Sequence, residues 1–122
     1  MSIAPTSFVK YFERRILQDE LGRGWLDYRL APGGTAELVN IEIGREHRRQ
    51  GIGRTLLARM LAELPPETAI VYAFTSCTNR TAHDWYRALG FSLTLLPRFY
   101  ASMNEDAYCC VKGVGGQSVG GR

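Results

Sequence analysis

Ile43 to Leu57 reads IGREHRRQGIGRTLL, and it is a junction between two kinds of periodicity. Before it, apolar and polar residues alternate. After Gly51, apolar residues recur at helical steps: Ile52, Leu56, Leu57, Met60, Leu61 and Leu64. The segment Arg48-Arg49-Gln50-Gly51-Ile52-Gly53 is therefore the turn from a strand into a helix. The first turn of a helix carries backbone N–H groups with no internal partner, and the helix dipole adds positive potential there. Two glycines remove Cβ atoms, so a diphosphate could approach the main chain, and nearby arginines would add charge-assisted hydrogen bonds. A connection whose glycines only solve a backbone problem fits the same residues. The spacing is neither that of a GxxxxGK[ST] loop nor of GxGxxG, since Thr55 and Leu56 follow Gly53.

Upstream, Gly24 to Leu30 (GWLDYRL) alternates as a strand, and Ala31-Pro32-Gly33-Gly34 is a turn signal. Thr35 to Ile43 (TAELVNIEI) follows as the second strand of a hairpin. A regular pleat would put Glu37, Val39, Ile41 and Ile43 on one face. Ahead of Gly24 two readings compete. Phe8, Phe12 and Ile16 fit a helix at steps of four, with Gly22 as its cap. Val9 to Leu17 also fits a strand that enters a hairpin through Asp19-Glu20-Leu21-Gly22, and this reading is preferred.

Downstream, Pro65-Pro66 stops the helix. Ala69 to Thr75 (AIVYAFT) reads as a strand covered on both faces. A second helix spans Arg80 to Leu89, with Gly90 as a left-handed C-terminal residue. Phe91 to Leu96 is a strand ended by Pro97, and Ala107 to Lys112 is the last. The order predicts an α/β fold: a mixed central sheet with flanking helices, in which a strand-helix-strand crossover supplies a parallel pair. Residues 1–112 form one domain, and the Gly-rich 113–122 reads as a flexible tail.

With 122 residues the chain has the size of a single domain. Its 45% hydrophobic and 22% charged residues suit a soluble protein. No apolar run approaches the ~20 residues that span a bilayer, and the start lacks signal-peptide features, so a cytoplasmic protein is expected. Cys77, Cys109 and Cys110 make no disulfide framework and have no histidine at metal-ligand spacing, which reads as three reduced thiols and no metal. His47 and His83 read as surface residues. Between Gly44 and Arg59 five arginines face one acid, a local charge of +4 in a chain of +3. A positive field confined to one turn suits a compact anionic ligand better than a nucleic acid.

The stretch Ile43 to Leu57 resembles motif A of the GNAT superfamily of acetyltransferases. Arg48, Gly51 and Gly53 fill its R/Q-x-x-G-x-G/A core. Asn79 to Phe91, NRTAHDWYRALGF, is similar to the family's N-x-x-A-x-x-[FW]-Y…GF signature, with Asn79, Ala82, Trp85, Tyr86, Gly90 and Phe91 in register. The resemblance covers Gly24 to Lys112 and implies a GNAT-like sheet and acetyl-CoA as co-substrate. It implies that the main chain of Arg48, Arg49, Gln50, Gly51, Ile52 and Gly53, with Arg54 and Thr55 adjacent, binds the CoA pyrophosphate. It also implies a bulged, splayed strand whose Ile41, Glu42 and Ile43 pair with the pantetheine arm, and an Asn79 near that arm. Tyr86 is implied as the acid that protonates the departing thiolate. Glu37, counted back from Arg48, is implied as the general base, with Glu42 as a fallback.

The chain departs from the family at Arg45, where a proline is common. Members usually begin with a strand and two helices that wall the acceptor site, and the residues ahead of Gly24 are too few for all of these. The acceptor wall is expected to be reduced or to come from a second subunit, so a homodimer is expected. The implied activity is acetyl transfer to a primary amine, on a small molecule or peptide, by direct attack. The competing reading is a non-catalytic acyl-CoA-binding or partner-binding module. Nucleic-acid and membrane partners are not expected.

Overall fold

The computed structural model describes residues 13–100 and 104–115. The earlier part of the first strand reading and residues 116–122 of the Gly-rich segment lie outside them. The elements are β1 (Glu13–Gln18), β2 (Gly24–Ala31), β3 (Thr35–Ile43), α1 (Ile52–Glu63), β4 (Ile70–Ser76), α2 (Arg80–Ala88), β5 (Ser92–Tyr100) and β6 (Glu105–Gly113). They form one sheet in the order β1-β2-β3-β4-β6-β5. Among the described residues only β3 and β4 pair in parallel; the other neighbours are antiparallel. The fold is the mixed α/β sheet that the strand and helix order predicts.

Both crossovers, β3-α1-β4 and β4-α2-β5, advance across the sheet in one direction. Right-handed connections of that kind place their helices on the same face. The core lies there: Leu26, Tyr28, Leu38, Val71, Ala73 and Cys110 of the sheet pack with Leu56, Leu57 and Met60 of α1 and Tyr86 of α2. The Tyr28 hydroxyl donates to Glu63 Oε1 at 2.5 Å and ties β2 to the end of α1. Burial, followed by that carboxylate, pushes the Tyr28 phenol up to about 12. Gly51, at φ 80°, starts α1 in the left-handed region, and Leu64 leaves it in an extended conformation before Pro65. Asn79 caps α2, its Oδ1 accepting from Ala82 N–H at 3.1 Å. Gly90, at φ 91°, ends it as expected.

Four expectations change. The regular pleat of β3 gives way to a bulge, as the family resemblance implies: Asp27 stands opposite Asn40 and Tyr28 opposite Leu38, so Val39 is an extra residue without a ladder partner. This bulge turns the strand over. Ala36 and Leu38 before it, and Ile41 and Ile43 after it, all pack on the helix side. Glu37 therefore faces away from Ile41 and Ile43. Second, β4 is not covered equally: Val71, Ala73 and Thr75 are buried, whereas Tyr72 and Phe74 on the other face are half-buried. Third, β5 continues past Pro97 to Tyr100, with an irregularity between Leu96 and Tyr100. It is an edge strand, where a missing ladder donor is tolerated. Fourth, His83 is buried, because helical spacing sets it on the same face as Tyr86. Its Nε2 lies 2.8 Å from the Ser76 carbonyl oxygen, and its ring meets Tyr108 edge-on.

At the chain's glycine-rich end, Val114 N–H donates to the Ala69 carbonyl at 2.9 Å. Gly115 lies so close to Thr68 that a Cβ there would overlap its carbonyl.

Candidate active site

β3 and β4 pair over three positions only: Thr35 with Ile70, Ala36 with Val71, and Glu37 with Tyr72. Beyond that last rung they part. β3 keeps its partner β2 as far as Ile43, and β4 keeps β6 as far as Ser76. The gap thus opens between two well-supported strands, toward their C-terminal ends. Strand N–H and C=O groups alternate between the two neighbours. Half of those on Leu38 to Ile43 and on Ala73 to Ser76 therefore face the gap without a ladder partner. A V-shaped slot of this kind can take up an extended, amide-bearing chain as if it were a strand.

The Gly-rich turn lies at the same end of the sheet. After Ile43 the chain passes through Gly44 and a short 3-10 turn, Arg45–His47, and Arg49 adopts a left-handed φ of 64°. Arg48 Nε donates to the Ile43 carbonyl at 3.2 Å and closes the loop back on β3. Among the described residues no side chain caps α1, and no acid stands in its first turn. The Thr55 N–H bonds the Gly51 carbonyl, which leaves the Ile52, Gly53 and Arg54 N–H groups as the unpartnered donors of the first turn. A Cβ built on Gly51 meets nothing within 4 Å, so the space over the turn is open. Gly53 does different work: a Cβ there would lie 3.2 Å from the Trp85 ring and 3.6 Å from Ile41 Cδ1. It lets α1 approach both α2 and β3. Arg45, Arg48, Arg49, Gln50, Arg54 and Thr55 are all exposed. This chemistry fits a diphosphate: free amides at a dipole's positive end, an open approach and arginines around it.

The remaining candidates fall on the two sides of the slot. Glu37 is on the face away from the helices, 3.3 Å from Arg29 Nη2 across the β2–β3 ladder, with its side chain 16% exposed. Glu42 is exposed at the end of β3, on that same face opposite Trp25. Tyr86 is on the helix side, in the core, its ring edge-on to both Trp85 and Phe91. Burial, with Cys110 nearby, raises its phenol well above the ordinary tyrosine value. Asn79 is exposed, and its carbonyl oxygen is committed to the α2 cap, leaving its NH₂ group to donate elsewhere.

The sequence reading named Glu37, and Phe99 with Tyr100 as a lining of the acceptor pocket, but passed over Arg29, Tyr72 and Phe74, the neighbours that join Glu37 to Phe99 on the open face. Arg29, Glu37 and Tyr72 stand side by side across β2, β3 and β4. Tyr72 meets Phe74 edge-on at 5.7 Å, and Phe74 stacks on Phe99 at 4.8 Å. Tyr72 and Phe74 alternate within AIVYAFT, and that alternation was the available signal. Among the described residues no cluster of His, Cys, Asp or Glu could hold a metal ion.

Residues 15–91 match the acetyltransferase (GNAT) family, and the chain belongs to it. It is an acetyltransferase by class. Among solved structures it is similar to a GNAT-family protein from Desulfovibrio desulfuricans, at 24% identity and a TM-score of 0.72, over 83% of this chain and 69% of that one. It is also similar to a GNAT-family acetyltransferase from Elizabethkingia anophelis with acetyl-CoA bound, at 15% identity and a TM-score of 0.71, over 93% and 83% of the two chains. A third is Naa20 of Chaetomium thermophilum in complex with a bisubstrate analogue, at 22% identity and a TM-score of 0.70, over 89% and 68%. At these identities the likeness is one of fold. No curated protein matches the sequence significantly.

Proposed function

We propose that this protein transfers the acetyl group of acetyl-CoA to a primary amine by direct attack. The observation that carries the reading is the meeting, at one end of the sheet, of an uncapped glycine turn and a slot between strands that part after Glu37 and Tyr72. The amides of Ile52 and Gly53, with Arg49 and Arg54 around them, hold the pyrophosphate, and Gln50 and Thr55 border it. The free edge of β3 at Ile41, Glu42 and Ile43 orients the pantetheine, with Asn79 donating from the far side. When bound, acetyl-CoA supplies an activated thioester. A β3 N–H in the slot stabilises negative charge on the carbonyl oxygen. Glu37 accepts the proton that the amine gives up, directly or through water. Tyr86 donates a proton to the sulfur as its bond to the acetyl carbon breaks. Its burial keeps the phenol protonated at working pH.

The three cysteines are free thiols, which fits a reducing compartment, so we place the enzyme in the cytoplasm. No helix among the described residues is long and apolar enough to cross a membrane. A homodimer belongs to the same reading. Among the described residues β1 is a sheet edge, and Ile16 on it is 53% exposed. A dimer mass is expected by light scattering at high micromolar concentration, and a monomer mass there would contradict this. The activity is tested by incubating the protein with acetyl-CoA and a panel of amines, with detection of the released CoA thiol. Tight acetyl-CoA binding without release for any amine would favour the non-catalytic module instead.

A further inference from the structure

The open face at the slot's apex has a definite chemical character. Its two buried or half-buried acids each face a guanidinium. Asp27 is bound by Arg14 through two bonds of 3.0 and 2.6 Å, and Glu37 by Arg29 at 3.3 Å. Asp27 and Glu37 are thus neutralised by Arg14 and Arg29, and Glu42, farther along β3, is the exposed acid of this face among the described residues. What adjoins Glu37 instead is aromatic. Tyr72 is its register partner, Phe74 follows on the part of β4 that borders the gap, and Phe99 stacks over Phe74 from the irregular end of β5. Phe99 is 44% exposed, and Tyr72 and Phe74 are half-buried, so their rings are reachable. Cys109, opposite Phe74 on β6, continues the apolar floor.

Resting on the acetyltransferase reading above, we infer that Tyr72, Phe74 and Phe99 form the acceptor subsite, and that it takes a primary amine on an aromatic or compact apolar body. The body lies against Phe74 and Phe99, where stacked or edge-on rings add attraction beyond burial. The amine then lies next to Glu37 at the point where β3 and β4 part. A protonated amine is also drawn to the ring faces as it arrives. A polyamine would leave its further charges beside Arg14 and Arg29, where like charges repel. A short aliphatic amine would leave the rings uncovered.

The test compares kcat/KM for phenethylamine, propylamine and spermidine with acetyl-CoA, in the wild type and in Phe99→Ala and Phe74→Leu. Binding of phenethylammonium to the protein alone is followed in parallel by saturation-transfer NMR. Phenethylamine is expected to exceed propylamine by about tenfold or more, the scale of one good aromatic contact. Phe99→Ala should reduce that ratio several-fold and weaken the NMR signal from the ring protons. Phe99 is exposed on an edge strand, so this variant should fold. Phe74→Leu keeps apolar volume and should lower the ratio by removing the stack. Equal rates for phenethylamine and propylamine, or a preference for spermidine, would overturn the inference while leaving the acetyltransferase reading intact. Ring-proton saturation that depends on Phe99, with no turnover of any amine, would uphold the subsite and count against the enzyme. Absence of ring-proton saturation in the wild type would overturn the subsite whatever the rates.

Discussion

Glu37 and Tyr72 are the last residues of β3 and β4 to stand opposite each other before the two strands part. Everything assigned to chemistry lies from that rung onward. The parallel pair must end there for an extended ligand to enter, because a continued ladder would occupy the same N–H and C=O groups. The bulge at Val39 also matters. It puts Glu37 on the open face while Ile41 and Ile43, only a few residues on, pack on the helix side. A base and the pantetheine edge can thus serve opposite sides of one sheet.

We predict that Glu37→Gln lowers kcat/KM for amine acetylation by about 10²–10⁴-fold, the usual worth of a general base. The deficit should grow as pH falls, since more of the amine then arrives protonated. Acetyl-CoA affinity should stay within a few-fold of wild type. A pH–rate profile in the variant that parallels the wild type without loss of rate would remove Glu37 from the mechanism.

We predict that Tyr86→Phe keeps the ring and its contacts with Trp85 and Phe91 but removes the donor. Turnover should fall by about 10²–10⁴-fold, with acetyl-CoA affinity changed by less than about 1 kcal/mol. The melting temperature should move little. Undiminished turnover in a folded variant would show that the thiolate takes its proton elsewhere.

The GNAT turn and the helix signature were legible through their motif spacing, and two of their residues answer a local demand: Gly51 needs a positive φ and Asn79 caps a helix. Gly53 answers a tertiary one, the approach of Trp85, and only the motif marked it. The strands of the hairpin were legible because alternation is a local pattern. The facing of Glu37 was not, because the resemblance implied a bulge without its position, which pairing with β2 sets, and one extra residue reverses every later side chain. Nor was the burial of His83, which depends on where α2 lands on β4 and β6. Tyr72 and Phe74 could be read as strand residues, but only the third dimension brings Phe99 across to them.

A prediction about stability concerns the β1–β2 turn. Asp19 accepts from the Arg23 guanidinium at 2.7 and 3.0 Å and from the Leu21 and Arg23 N–H groups. Arg23 foremost, with those N–H groups, lowers the carboxyl from 3.8 to about 2. A folded-state value below the unfolded one means the stabilisation is complete above the unfolded value and is lost as pH falls through the folded one. Asp19→Asn should therefore lower the melting temperature at neutral pH. The gap to wild type should shrink between about pH 4 and pH 2, as thermal melts would show. A gap that stays constant over that range would mean the carboxylate's charge contributes nothing.

The most direct test of the account is a calorimetric titration of acetyl-CoA into the wild-type protein and into Gly51→Glu. The wild type should bind with a micromolar Kd, roughly −8 kcal/mol. Gly51→Glu places a side chain and a negative charge in the open space over the α1 amides, and it should show no measurable binding while still giving a cooperative melt. Wild-type affinity in a folded Gly51→Glu variant, or no binding to the wild type at millimolar ligand, would contradict the assignment of this turn to the CoA pyrophosphate.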